Sequence, residues 1–258
     1  KYDTPQLASL RKELQVTTKS HRSVIVKDEF SSVYQGAGAV GMNAFTSEDV
    51  TFYINQLPAN KFELWCWMES DRLANSVFRE FFSERDVVHE ERRMRTDSTP
   101  TGVYQEQFNS MFWEASPYSW PVIGWPSDLN SYTLEEANRY FNVYYQPGNL
   151  VGVVVGDIDI ARAKKLIVAY FGQLKEGAAP PPPVTTIEPK QKAPMRMVAD
   201  VDAQSQVEVR YHGVPFFHKD SYALEVMASV LNGKTGRLYK TMVEGKEIAS
   251  SARFGVDT

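Results

Sequence analysis

The sequence predicts an α+β protein in which strands are followed by helices in both halves. Three observations carry this. Residues 40–57 follow a period-two pattern rich in β-branched and aromatic residues. Most other segments space their apolar residues at helical intervals. A proline-rich stretch, residues 177–194, separates two units built from the same element types. The length of 258 residues fits one large or two medium domains, and 43% hydrophobic with 12% aromatic residues is enough to build a core.

In chain order, residues 5–19 read as a polar helix and residues 27–35 as a second, after the short apolar run Val24-Ile25-Val26. Asn43-Ala44-Phe45-Thr46, the turn Ser47-Glu48-Asp49 and Val50-Thr51-Phe52-Tyr53-Ile54-Asn55 form a β-hairpin. Asn60 caps a helix carrying Leu64, Trp65, Trp67, Met68 and Leu73. Ser83, with Asp86 three residues on, predicts an N-cap and a helix running to about Arg95. Pro100 and Thr101 open a helix with Tyr104, Phe108, Met111 and Phe112, and an aromatic loop follows at residues 117–126. Thr133-Leu134-Glu135-Glu136 is a capping box. Residues 150–156 read as a strand buried on both faces, and Asp157 or Asp159 caps the helix after it. Beyond the prolines, residues 195–201 and 206–212 read as strands, Asp220 caps a helix through Leu231, and residues 237–244 form another.

Charge and composition remove several classes of function. A net charge of -4 argues against a nucleic-acid binder, which usually carries a basic face. No apolar run approaches the roughly 18 residues needed to span a membrane. The single Cys66, between Trp65 and Trp67, reads as a small core side chain. His89-Glu90-Glu91-Arg92-Arg93 fails as a zinc helix, because Arg93 stands where a second histidine is needed and a guanidinium cannot ligate. Gly233-Lys234-Thr235 fails as a phosphate loop, since Ala228 occupies the first glycine position.

What remains is the helix from Ser83. Glu84, Val87, Val88 and Glu91 stand at i, i+3, i+4 and i+7, on one face. Two carboxylates ending an apolar stripe would turn inward, and a buried carboxylate must be paired, hydrogen-bonded or bound to a metal. The same spacing is that of a charged helix with a rim of solvated glutamates, and by itself it leaves both readings open.

Together with its surroundings, the pair resembles the insulinase/pitrilysin family of zinc metallopeptidases, the inverzincins. Four segments carry the likeness in the family's order. Asn43-Ala44-Phe45-Thr46-Ser47-Glu48-Asp49-Val50-Thr51-Phe52-Tyr53 is similar to its N-A-x-T-S-x-D-x-T-x-Y strand pair, and residues 84–91 to its E-R-x-V-V-x-x-E helix. Residues 151–157 resemble the V-V-V-G-D end of the first domain, and Gly236-Arg237-Leu238-Tyr239 the S-R-L-Y turn of the second. The resemblance implies an insulinase-like fold, of the kind shared by LuxS and the mitochondrial processing peptidase, with an antiparallel-rich mixed sheet packed with helices. It implies a first domain over residues 1–176, with 1–36 a helical insertion, a linker at 177–194, and the start of a homologous second domain at 195–258.

The resemblance also implies a zinc-dependent endopeptidase that cuts peptides or unfolded segments inside a closed chamber, formed with a second half or a homologous subunit. Glu91 matches the third zinc ligand and Glu84 an acidic residue that supports the site by hydrogen bonding. Asn43, Ala44, Phe45 and Thr46 match the edge that receives the peptide by strand addition. The family's two histidine ligands belong to an H-x-x-E-H motif that these 258 residues lack. Lys1 and the run Gly255-Val256-Asp257-Thr258 look like cut ends, which places the histidines upstream and leaves this chain on its own a poor zinc binder. The alternative is a non-catalytic partner or scaffold subunit of the same family. Bacterial members resembling this subgroup are often exported, so a periplasmic or other exported location is expected.

Overall fold

A computed structural model describes residues 4–177, 179–215 and 217–256. Lys1, Asp257 and Thr258, which bear on the expected chain ends, and Ala178, inside the expected linker, lie outside the described residues. The chain is α+β and helix-rich, and it divides into two compact units, Lys1–Ala203 and Gln204–Thr258.

The first unit opens with α1 (Pro5–Arg22) and α2 (Glu29–Gly36). Thr4 caps α1 by accepting the Leu7 N–H, with Pro5 at the first turn, where its missing N–H costs nothing. The hairpin follows as β1 (Val40–Thr46) and β2 (Thr51–Gln56), paired antiparallel with an irregularity between Val40 and Asn43. Asn43 faces Ile54, Ala44 faces Tyr53, Phe45 faces Phe52 and Thr46 faces Thr51. The Ser47 N–H closes the turn on the Val50 carbonyl at 2.8 Å. Next come α3 (Phe62–Ala74), α4 (Phe81–Arg92), α5 (Gly102–Phe112), α6 (Pro126–Ser131), α7 (Leu134–Tyr144) and α8 (Ile160–Phe171).

The core forms where α2, α3 and α8 bury their apolar stripes. Tyr34 of α2 and Cys66 of α3 are fully enclosed, and Ala163 of α8 is buried. Trp65 packs against Phe171 with ring centroids 5.5 Å apart, joining α3 to α8. Cys66 is thus the core side chain expected of it, and burial pushes its thiol up to about 11. The capping box at α7 is present in both directions, from Thr133 to Glu136 and back. Asp159, not Asp157, caps α8, accepting the Arg162 N–H at 3.0 Å.

Several expectations are corrected. Asn60 lies in a short 3-10 turn, and α3 starts at Phe62 without a side-chain cap. The segments expected as strands at 150–156, 195–201 and 206–212 join no sheet among the described residues. Val151 and Val155 are 90% and 91% exposed, and Val207 is 93% exposed. A β pattern fixes which residues alternate, but a strand exists only when another strand takes its hydrogen bonds. Among the described residues the sheet is therefore the hairpin alone.

The proline segment is not loose. The Glu188 carboxylate accepts the consecutive backbone N–H groups of Glu114, Ala115 and Ser116 at 2.8, 2.9 and 2.7 Å. The buried Gln146 amide donates to the Ala179 carbonyl at 2.8 Å. In the second unit, α9 (Ser221–Leu231) begins after Asp220, whose side chain makes no cap. Asn232 follows α9 and pairs reciprocally with the Phe254 backbone at 2.7 and 2.8 Å.

Candidate functional site

α4 starts two residues before the expected cap. Glu80 stands at the cap position, Ser83 lies inside the first turn, and the Glu84 N–H already bonds the Glu80 carbonyl at 2.9 Å. The preceding aromatic pair Phe81 and Phe82, packed edge to face at 5.2 Å, enters the helix and pulls the start forward. The face carrying Glu84, Val87, Val88 and Glu91 does not turn inward. Glu84 and Val87 are exposed, and Glu91 is about one-third exposed. Glu84 has its own reason to sit in the first turn, where a carboxylate complements the positive end of the helix dipole. Among the described residues Glu91 is held only by an ion pair with the solvent-exposed Arg95, Oε1 to Nη1 2.8 Å. Asp86, Val87, Glu90, Glu91, Met94 and Arg95 line a shallow open hollow of about 440 Å³.

The residue that sequence reasoning missed is Arg92. It is 4% exposed and donates both terminal nitrogens to Glu106, at 2.6 and 2.9 Å. One of them also reaches the Gly124 carbonyl at 2.9 Å, and Asp97 lies 3.6 Å away. These bonds to Glu106 raise its pKa further, so the guanidinium stays charged. Arg92 therefore locks the C-terminal end of α4 onto α5 and the aromatic loop, leaving its neighbour Glu91 on the open side. Nothing in the sequence marks Arg92 out in the run Arg92-Arg93-Met94-Arg95, because its partner is 14 positions away and the turn between them is irregular.

That irregular turn is a π-helical stretch, Arg93–Asp97, a conformation that recurs at functional sites. Gly102 lets α5 pack against it. A Cβ on Gly102 would lie 2.1 Å from the Thr96 carbonyl oxygen and 2.3 Å from Thr99 Oγ1. Gly102→Ala is accordingly expected to cost about 1–3 kcal/mol, the penalty of overpacking, and to lower Tm by several degrees in a thermal melt.

The other predicted element is β1. All of its residues are exposed, and its outer edge has no partner strand among the described residues. The Ala44 N–H is covered by its neighbour's carboxamide, Asn43 Oδ1, at 2.8 Å. Behind the hairpin turn, the Tyr118 hydroxyl donates to the Asp49 carboxylate. Among the described residues no hydrogen bond or ion pair joins the hairpin to α4, so residues 43–46 and Glu91 are not assembled into one site by direct contact.

A catalytic zinc takes three protein ligands and keeps one position open. Among the described residues no group of three His, Cys, Asp or Glu side chains could hold a metal ion. Glu91 offers one oxygen donor, so these residues do not by themselves fit a zinc ion.

The family profile described as the Peptidase M16 inactive domain matches residues 131–258. The zinc protease PqqE of Helicobacter pylori is 34% identical over 232 residues, covering 87% of this chain and 52% of that protein. This chain is a member of the M16 peptidase family. The motif resemblance to insulinase and pitrilysin is therefore borne out.

The crystal structure of a protease from Helicobacter pylori superposes with a TM-score of 0.71 at 30% identity, over 89% of this M16 chain and 56% of that one. A ferredoxin protease, FusC, in complex with Arabidopsis ferredoxin, superposes at 0.52 with 23% identity and shows the fold alone, over 63% of this chain and 19% of that one. The M16 chain spans about half the length of the curated relatives it matches. Among its described residues no helix is long and apolar enough to cross a membrane.

Proposed function

We propose that this M16 chain is part of a zinc-dependent endopeptidase, to which it contributes one metal ligand, Glu91, and the strand that receives the peptide, residues 43–46. The observation that carries this reading is the state of Glu91. It is a partly exposed carboxylate on an open hollow, held by one exposed arginine and, among the described residues, in no buried structural pair. An exposed ion pair contributes little stability, so Arg95 gives up its partner at low cost. Glu84, two turns earlier on the same face of the helix, supports the site. The remaining ligands are two histidines from outside these 258 residues, and the chamber is completed by further family-like polypeptide.

The division into residues 1–176, a linker at 177–194 and a second domain from 195 belongs to the same proposal, as does an exported location. β1 supports the peptide-binding part, because an exposed edge strand recognises extended segments through the backbone and tolerates varied sequences.

The test is metal content and peptide cleavage by the full-length protein. About one zinc per chain is expected, with cleavage of an unstructured fluorogenic peptide lost to a chelator and restored by zinc. A protein that holds no zinc and cuts no peptide overturns the reading. It would favour the second one, a non-catalytic partner subunit, which the match to the family's inactive domain supports.

A further inference from the structure

We propose that Arg72 of α3 is a positioning residue for the peptide-receiving edge. It acts through Tyr53, the β2 residue that faces Ala44 across the hairpin. The inference rests on the reading of residues 43–46 given above and names what holds that strand in place.

The geometry begins in the core. Fully buried Tyr34 donates its hydroxyl to Glu69 Oε1 at 2.8 Å. The other carboxylate oxygen of Glu69 pairs with Arg72. Glu69 and Arg72 are one helical turn apart on α3, and their side chains are only 13% and 32% exposed. Held there, the Arg72 guanidinium lies 4.4 Å from the centroid of the Tyr53 ring and 5.6 Å from that of Phe30. The Tyr53 hydroxyl in turn meets that of Tyr145, just past α7, at 2.6 Å. Burial raises both Tyr34 and Tyr53, so both hydroxyls remain protonated and able to donate.

The alternation of β2 puts Thr51, Tyr53 and Asn55 on one face. Tyr53 takes the cation there, and Asn55 Oδ1 is buried without a partner among the described residues, as is Arg72 Nε. A face that carries an unpaired acceptor and a half-exposed tyrosine cannot be held by apolar packing alone. The cation over the Tyr53 ring and the Tyr145 hydroxyl fix it from two sides. β2 is the partner of β1 among the described residues, so the height and twist of residues 43–46 follow from where Tyr53 is held. Lysine could keep the charge pair with Glu69, but it lacks the flat guanidinium that stacks on the ring.

The experiment uses the full-length protein and three variants. Arg72→Lys is expected to weaken binding of a fluorescently labelled, unstructured decapeptide by roughly three- to tenfold, the size of a lost cation–π contact. Amide hydrogen exchange at Ala44, Phe45 and Thr46 should accelerate in parallel. Tyr34→Phe, which removes one hydroxyl and little volume, should shift both readouts the same way by less, and it stands in if the lysine variant does not fold. Asn232→Ala, which breaks the pair with the Phe254 backbone in the second unit, lowers stability away from the hairpin and should leave peptide affinity unchanged, which separates positioning from stability loss. Wild-type affinity in Arg72→Lys, with unchanged exchange at residues 44–46, overturns the positioning role alone. A wild-type protein that binds no extended peptide overturns the strand-addition reading and this inference with it.

Discussion

Glu91→Gln in the full-length protein is expected to abolish stoichiometric zinc and peptide cleavage together, while leaving the fold intact. The amide keeps the size and one oxygen of the carboxylate but not its charge, and a hard or borderline cation is held far more weakly by a neutral oxygen. The structural cost is small, because the interaction lost among the described residues is an exposed pair with Arg95. Elemental analysis, a cleavage assay and a thermal melt read the three quantities separately. Glu84→Gln gives the contrast. Its carboxylate is proposed to support the site from outside the ligand shell, so metal affinity should fall by about ten- to a hundredfold without being lost. Zinc and activity that both survive Glu91→Gln would remove Glu91 from the ligand set.

The largest loss of stability is expected from Glu106→Ala. Arg92 would then keep a buried charge with, among the described residues, only the Gly124 carbonyl and the more distant Asp97 near it. Breaking one partner of a buried pair costs about 3–5 kcal/mol, mainly because the remaining ion is stranded away from water. Urea denaturation of variant and wild type measures this directly. Replacing both residues, Arg92→Met with Glu106→Leu, should recover most of the loss, since apolar groups of similar volume need no compensation. A stability unchanged in Glu106→Ala would show that solvent reaches Arg92 and that the pair does not anchor α4. Because Arg92 adjoins Glu91, the double variant also asks whether the anchor sets the metal site. Restored stability with weakened zinc binding would separate the two roles.

Much of the local structure was legible because its causes are local. The Thr133 to Glu136 capping box, the hairpin turn after Thr46 and the start of α8 behind Asp159 each depend on residues within a few positions of one another. The start of α4 departs from the local signal, because Ser83 and Asp86 spell a cap that Phe81 and Phe82 override by entering the helix first. The spacing of Glu84 and Glu91 fits an inward stripe and a solvated rim alike, since spacing defines a face but not what covers it, and the structure leaves that face open.

On its own, the sequence determined the family, through motifs in a fixed order, and the α+β class, through periodicity. It also singled out Glu91 and residues 43–46 as the places where chemistry is proposed. Only the tertiary structure decided which charges are buried and which strands are paired. Arg92 finds Glu106, Tyr34 finds Glu69 and Arg72 finds Tyr53 across separations that no local pattern encodes. Residues 151–155, apolar enough to read as buried, stay open because burial needs a neighbouring strand as well as an apolar sequence. Short-range preferences act within a turn or two of chain, whereas burial and ion pairing are settled where distant segments meet.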